Sequence, residues 1–182
     1  MSTTRYAALL QGINVGGNRK VPMADLRSLL GGLGFHDVAT YVQSGNAAFT
    51  AGSADADAVT ATVEAAIAEA FGFAVDVMLR NAAELSAVVS GNPFAALAEA
   101  DPKRVHAAFV RAAPDAARVD AVRALGDGDE EIVVGDRVLY VSLPRGVAGS
   151  KLAAALTLRK LGTPVTTRNW RTVEAVAALA GP

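Results

Sequence analysis

Apolar positions along the chain change their period repeatedly, and the changes mark out the elements. The first run, Tyr6-Ala7-Ala8-Leu9-Leu10, is short, apolar and followed by glycines, which predicts a buried strand. Met23, Leu26, Leu30 and Leu33 then recur at helical spacing behind Pro22, whose missing N–H costs nothing in a first turn. Gly31, Gly32 and Gly34 predict the stop. Residues 38–43 and 47–50 flank Ser44-Gly45-Asn46, the pattern of a hairpin. Val59, Val63, Ala66, Ile67, Ala70 and Phe71 share one face of a long helix, with Ser53, Asp55 or Asp57 as candidate caps. Residues 75–79 alternate as a strand.

The order then repeats. A connector holds a short helix at 84–89 and the turn Asn92-Pro93-Phe94. Val105, Ala107 and Phe109 mark a strand, and Val119, Val122 and Leu125 a helix behind Pro114. Residues 131–134 and 138–141 flank Gly135-Asp136-Arg137 as a second hairpin. Residues 152–161 read as one helix, 163–167 as the last strand, and 170–180 as a final helix burying Trp170, Val173 and Val176. The expectation is an α+β chain: two ferredoxin-like (split βαβ, plait) subdomains in tandem, with antiparallel sheets and an extra C-terminal helix. The subdomains are placed at 1–80 and 103–182, joined by a connector at 81–102. Ordinary α/β alternation is the competing reading, since the shared side chains noted between the halves are few: Gly52-Ser53 and Gly149-Ser150, each opening a helix.

Composition narrows the classes. Of 182 residues, 52% are apolar and 19% charged, and no apolar run approaches the ~18 residues that cross a bilayer. The N-terminus lacks the order of a signal peptide, so a cytoplasmic protein without membrane contact is expected. Without cysteine, disulfides, thiolate nucleophiles and Cys-ligated zinc are excluded. A net charge of −1 argues against a strongly basic nucleic-acid coat. No cofactor or metal site is expected, because His36 and His106 have no ligand spacing around them.

Three segments are chemically richer than a fold requires. In Gly12-Ile13-Asn14-Val15-Gly16-Gly17-Asn18-Arg19-Lys20, Gly12, Gly16 and Gly17 permit positive φ and close backbone approach, so successive N–H groups of the segment suit an anion nest, with Lys20 as a point charge and Arg19 as a bidentate fork. The alternative is a tight connector carrying solvated cations. The ending of a Walker A loop and the dinucleotide fingerprint are both absent. Gly149-Ser150-Lys151 pairs a candidate N-cap, Ser150, with a cation at a helix start. In Thr167-Arg168-Asn169-Trp170, Asn169 is a candidate cap, and Arg168 serves either an anion or a structural ion pair. A split-βαβ topology places residues 12–20 beside Ser44-Gly45-Asn46, and Ser150-Lys151 at the same sheet end as Arg168-Asn169.

These segments also carry a resemblance. Leu9-Leu10-Gln11-Gly12-Ile13-Asn14-Val15-Gly16-Gly17, Val21-Pro22-Met23, residues 40–46, Asn92-Pro93-Phe94, Ser150-Lys151-Leu152 and Thr167-Arg168-Asn169-Trp170 together resemble the domain of unknown function 1697 family. The resemblance runs over residues 6–180 and implies an α+β fold with two plait-like halves, in a family found mainly in bacteria. Two positions depart from it: the family commonly has arginine at Gln11 and asparagine at Arg171. It brings no established activity and no catalytic residue.

The functional expectation is therefore a binder of a phosphate-bearing ligand, a nucleotide or nucleic-acid end. Lys20, Lys151 and Arg168 would supply charge, and Asn14, Ser44, Asn46 and Asn169 hydrogen bonds. The alternatives are an enzyme using the same cleft for phosphoryl or acyl transfer, and a protein-interaction module. The sequence leaves the oligomeric state open.

Overall fold

The computed structural model describes residues 3–52 and 55–181. The chain is α+β, with two four-stranded antiparallel sheets. It divides into two compact units: the chain up to Ala87 together with Ala175 onward, and Val88–Glu174. The connector expected at 81–102 is thus shared between them. The last turns of the C-terminal helix count with the first unit, where Arg5 donates from Nε (3.0 Å) and Nη2 (2.8 Å) to the Leu179 carbonyl.

The first unit holds β1 (Thr4–Leu10), α1 (Met23–Gly32), β2 (His36–Tyr41), β3 (Asn46–Ala51), α2 (Ala56–Phe71) and β4 (Val77–Asn81), then the start of α3 (Ala82–Ser90). Its sheet runs β2-β3-β1-β4. Side chains alternate across a strand, so Ala8, Leu10, Phe49 and Leu79 face the cluster formed with Leu26, Leu30, Val63 and Ile67 of α1 and α2. Phe35 stacks on Phe49 at 4.5 Å. Burying each such side chain contributes about 1.5–3 kcal/mol. The opposite face, Ala7, Leu9, Ala48 and Met78, is buried as well, which is why β1 reads as a continuous apolar run. Asp55 is the cap of α2, accepting from the N–H groups of Asp57 and Ala58; the candidate Ser53 lies outside the described residues. Strand β2 starts and ends two residues before its expected bounds, because Val42 takes φ 49° and leaves the sheet. Strand β4 starts two residues late, where Glu64 accepts the Val77 N–H at 2.8 Å.

The second unit holds the end of α3, α4 (Ala95–Ala100), β5 (Val105–Val110), α5 (Ala116–Arg123), β6 (Glu131–Gly135), β7 (Val138–Ser142), α6 (Lys151–Ala154), α7 (Leu158–Leu161), β8 (Val165–Asn169) and the first turn of α8 (Trp170–Ala180). Its sheet runs β6-β7-β5-β8, the order of the first sheet repeated. Ala108, Val110, Leu139, Val141 and Val165 face a core with Val119, Val122, Leu152 and Leu161. The single helix expected at 152–161 is instead two. Thr157 adopts an extended conformation (φ −131°, ψ 155°), and its hydroxyl accepts the Lys160 N–H, so the chain stops and starts a new turn there.

Candidate functional site

In the first unit the segment 12–20 forms a small hairpin of its own. Gly16 and Gly17 take φ 61° and 79°, and Val15 bridges Asn18 across them. Two consecutive positive φ angles are what a type I′ turn demands, and glycine supplies them without strain. Asn14 fixes this hairpin. Its Oδ1 accepts the Val21 N–H (2.8 Å), and its Nδ2 donates to the carbonyls of Val21 (2.9 Å) and Gln43 (2.7 Å). The loop therefore rests against the β2–β3 turn, where Gly45 is wedged so closely that a Cβ would stand 2.8 Å from Ile13 Cδ1. Asn46 is fully buried and donates to Tyr41 O and Ser44 Oγ, both at 3.0 Å. Arg19 donates to the Ala74 carbonyl and lies over the Phe73 ring at 5.3 Å. Gly12 and Lys20 are exposed. Asn14, Ser44 and Asn46 thus spend hydrogen bonds on loop architecture, and of the segment's two exposed cations Arg19 is engaged with Ala74 and Phe73.

In the second unit the exits of β7 and β8 share an end of the sheet, since both strands pair antiparallel with β5. Ser150 caps α6, its Oγ accepting the Ala153 N–H at 2.9 Å. Asn169 caps α8, its Oδ1 accepting the Thr172 N–H at 3.0 Å. Arg168 does not join them. Strand alternation turns it away from the α5–α7 core, while Leu152 behind Ser150 sits within that core. The guanidinium is buried, with Nη1 donating to Thr166 Oγ1 (2.7 Å) and to the Thr167 carbonyl (2.9 Å). Burial disfavours its charge and pushes its pKa down to about 10. Trp170 is buried against Tyr140, ring centroids 6.4 Å apart.

Lys151 is placed differently. It lines an open groove of about 470 Å³ together with Leu125, Ala155, Thr157, Arg159 and Lys160. Arg118 braces this region: its Nη1 donates to the Lys160 carbonyl at 3.3 Å, and its guanidinium packs on Gly162, whose φ of 74° ends α7. Three cations stand around one concavity. None of the lining residues is acidic, and none of the three cations is ion-paired with a described carboxylate. Such a set attracts an anion, Arg159 through a planar fork and the lysines as point charges. Sequence reading found Lys151 but not Arg159, Lys160, Leu125 or Thr157; the Arg159-Lys160 pair just beyond a candidate cap, Thr157, was the available signal.

A second groove, of about 750 Å³, lies between α1 and α2 in the first unit, where Asp25 and Glu69 supply carboxylates and Leu29, Leu33 and Phe71 apolar surface. His106 is buried mid-sheet in β5, with no partner for Nδ1, and burial lowers its pKa. The acidic turn at 127–130 is tied to Arg145, which pairs with Asp129 at 2.8 Å and Asp127 at 3.5 Å. Among the described residues, no group of three or more His, Cys, Asp or Glu side chains is placed to hold a metal ion, and no helix is long and apolar enough to cross a membrane.

The sequence pattern of a family described as "Protein of unknown function (DUF1697)" matches residues 3–140. No curated protein matches the chain. Among solved structures it is similar to the conserved bacterial protein SP0830 from Streptococcus pneumoniae, at 29% identity and a TM-score of 0.74, over 98% of this chain and 99% of that one.

Proposed function

Since the chain belongs to this family of proteins of unknown function, no reaction comes with its kinship, and we propose that it binds a phosphate-bearing ligand in the basic groove of its second unit. One observation carries the reading: Lys151, Arg159 and Lys160 converge on a concavity whose lining holds no carboxylate. A dianionic phosphate in such a groove gains charge-assisted hydrogen bonds that water supplies less well. Lys20, in the first unit, is not part of this set. The same reading takes each unit as a ferredoxin-like plait and the pair as a duplication, supported by the repeated strand order β2-β3-β1-β4 and β6-β7-β5-β8.

The test is calorimetric titration and thermal stability against inorganic phosphate, nucleotides, sugar phosphates and short oligonucleotides. A ligand present at 100 times its Kd stabilises the native state by about 2.7 kcal/mol. Binding is expected to fall at least tenfold in Lys151→Ala and in Arg159→Ala, and to be unchanged in Lys20→Ala. Equal affinity in all four proteins, or no binding by any phosphate compound, overturns the reading.

A further inference from the structure

We infer that the ligand of the second unit's groove is an aliphatic phosphate, a phosphomonoester on a saturated body, and not a nucleotide; this rests on the phosphate reading above. The lining divides into two chemistries. Lys151, Arg159 and Lys160 supply charge, while Leu125, Ala154 and Ala155 supply small aliphatic surface. Leu125 is 37% exposed, one of few large apolar side chains left open to solvent. It sits just past the end of α5, in the wall of a groove where it has cations for neighbours.

A nucleobase is recognised by stacking on aromatic faces and by hydrogen bonds to its edges. The groove lining contains no aromatic side chain, no Asn or Gln and no carboxylate. Its one hydroxyl, on Thr157, already accepts the Lys160 N–H that opens α7. With Arg159 and the two lysines engaged by the phosphate, the lining keeps no further group to read a base edge or stack on its face, whereas leucine and alanine methyl groups, with the methylene stem of Lys151, accept a saturated chain. A charged head among three cations and a short tail over Leu125 satisfy both chemistries at once. The head is held by charge, and the tail gains by leaving water.

The experiment measures affinity for inorganic phosphate, then methyl, butyl and hexyl phosphate, then adenosine monophosphate, on the wild-type chain and on Leu125→Ser and Lys151→Ala. Circular dichroism checks the fold of each variant. Affinity is expected to rise by roughly fourfold for each methylene that becomes buried. Leu125→Ser should flatten that rise while leaving inorganic phosphate unchanged, and Lys151→Ala should lower affinity along the whole series. Phosphate binding that depends on Lys151 but not on chain length, or tighter binding of adenosine monophosphate than of hexyl phosphate, overturns the inference and leaves the phosphate reading standing. No binding of any compound removes both. Vesicles of phosphatidylcholine with phosphatidic acid distinguish a lipid headgroup from a free molecule: binding to them without any response to soluble alkyl phosphates overturns the inference in favour of a membrane surface.

Discussion

Arg80 and Arg168 hold the same place in their respective sheets. Each lies on the fourth strand of its unit, in register with an alanine of the central strand, Ala7 or Ala107. Each donates from Nη1 to the carbonyl of the residue before it, at 2.8 and 2.9 Å. Each precedes an asparagine that caps the next helix, Asn81 accepting the Glu84 N–H and Asn169 the Thr172 N–H. Both arginines are buried, at 2% and 8% exposure, on the face turned from their helix cluster.

This recurrence assigns the arginines to the fold. Truncating a buried side chain of this size leaves a cavity and strands the groups it satisfied. Arg168→Ala should therefore destabilise by about 3 kcal/mol. Arg168→Met keeps the stem and loses only the hydrogen bonds, so it should cost about half as much. Urea unfolding of the three proteins tests this; an alanine variant as stable as wild type contradicts it.

The recurrence also shows what was legible in the sequence. Strand and helix order could be read because β1 holds the continuous apolar run at residues 6–10, β5 carries Val105, Ala107 and Phe109 at alternate positions, and α1, α2 and α5 carry periodic stripes. The Arg-Asn dipeptide at 80–81 and 168–169 stood in plain view, yet placing β4 two residues early, at 75–79, left Arg80 outside its strand. The hydrogen bonds of Asn14 run to residues 7 and 29 positions away, which no local pattern displays. Lys151 stood out, but its partners did not. On a continuous helix Lys151 and Arg159 would be about 12 Å apart along the axis; the break at Thr157 folds them around one groove.

Asn14 itself makes a measurable case. Three hydrogen bonds meet on one side chain whose backbone sits at φ 55°. Asn14→Gly loses the bonds and keeps the left-handed conformation without strain. Asn14→Ala loses the bonds and adds roughly 1 kcal/mol for φ. Alanine should therefore be the more destabilising, with glycine itself about 2 kcal/mol below wild type. Reversal of that order in thermal unfolding would place the importance of Asn14 elsewhere.

His106 gives the chain a pH dependence of known sign. Burial holds its pKa below the ordinary 6.5, so between the folded pKa and 6.5 the unfolded chain binds more protons. Stability accordingly rises with pH through that window and is lost as pH falls below 6.5. In register beside it stand Val141 and Asn169, and neither carries a charge to offset the imidazolium. Urea unfolding at pH 7.5, 6.5 and 5.5 should show the decline. His106→Leu should flatten the contribution of this residue; an unaltered slope would exclude it.

Arg123 guards an edge. Strand β6 is the outer strand of its sheet and exposes Val133 and Val134, a combination that invites pairing with another strand. The Arg123 guanidinium closes part of that edge by donating from Nε (3.2 Å) and Nη2 (3.0 Å) to the Ile132 carbonyl, while Nη1 pairs with Asp120 at 2.6 Å. An occupied carbonyl cannot accept an N–H from an incoming strand. Arg123→Ala should thus cost only about 1 kcal/mol in the folded chain, because the freed carbonyl is partly open to water. It should raise self-association much more. Light scattering across a concentration series separates the two effects: a larger average mass for Arg123→Ala than for wild type is expected, and it should return to the wild-type value when Val134→Lys is added to charge the edge. Equal mass at all concentrations would mean that the exposed valines alone do not recruit a partner, and that the fork serves only to fasten α5 to the sheet.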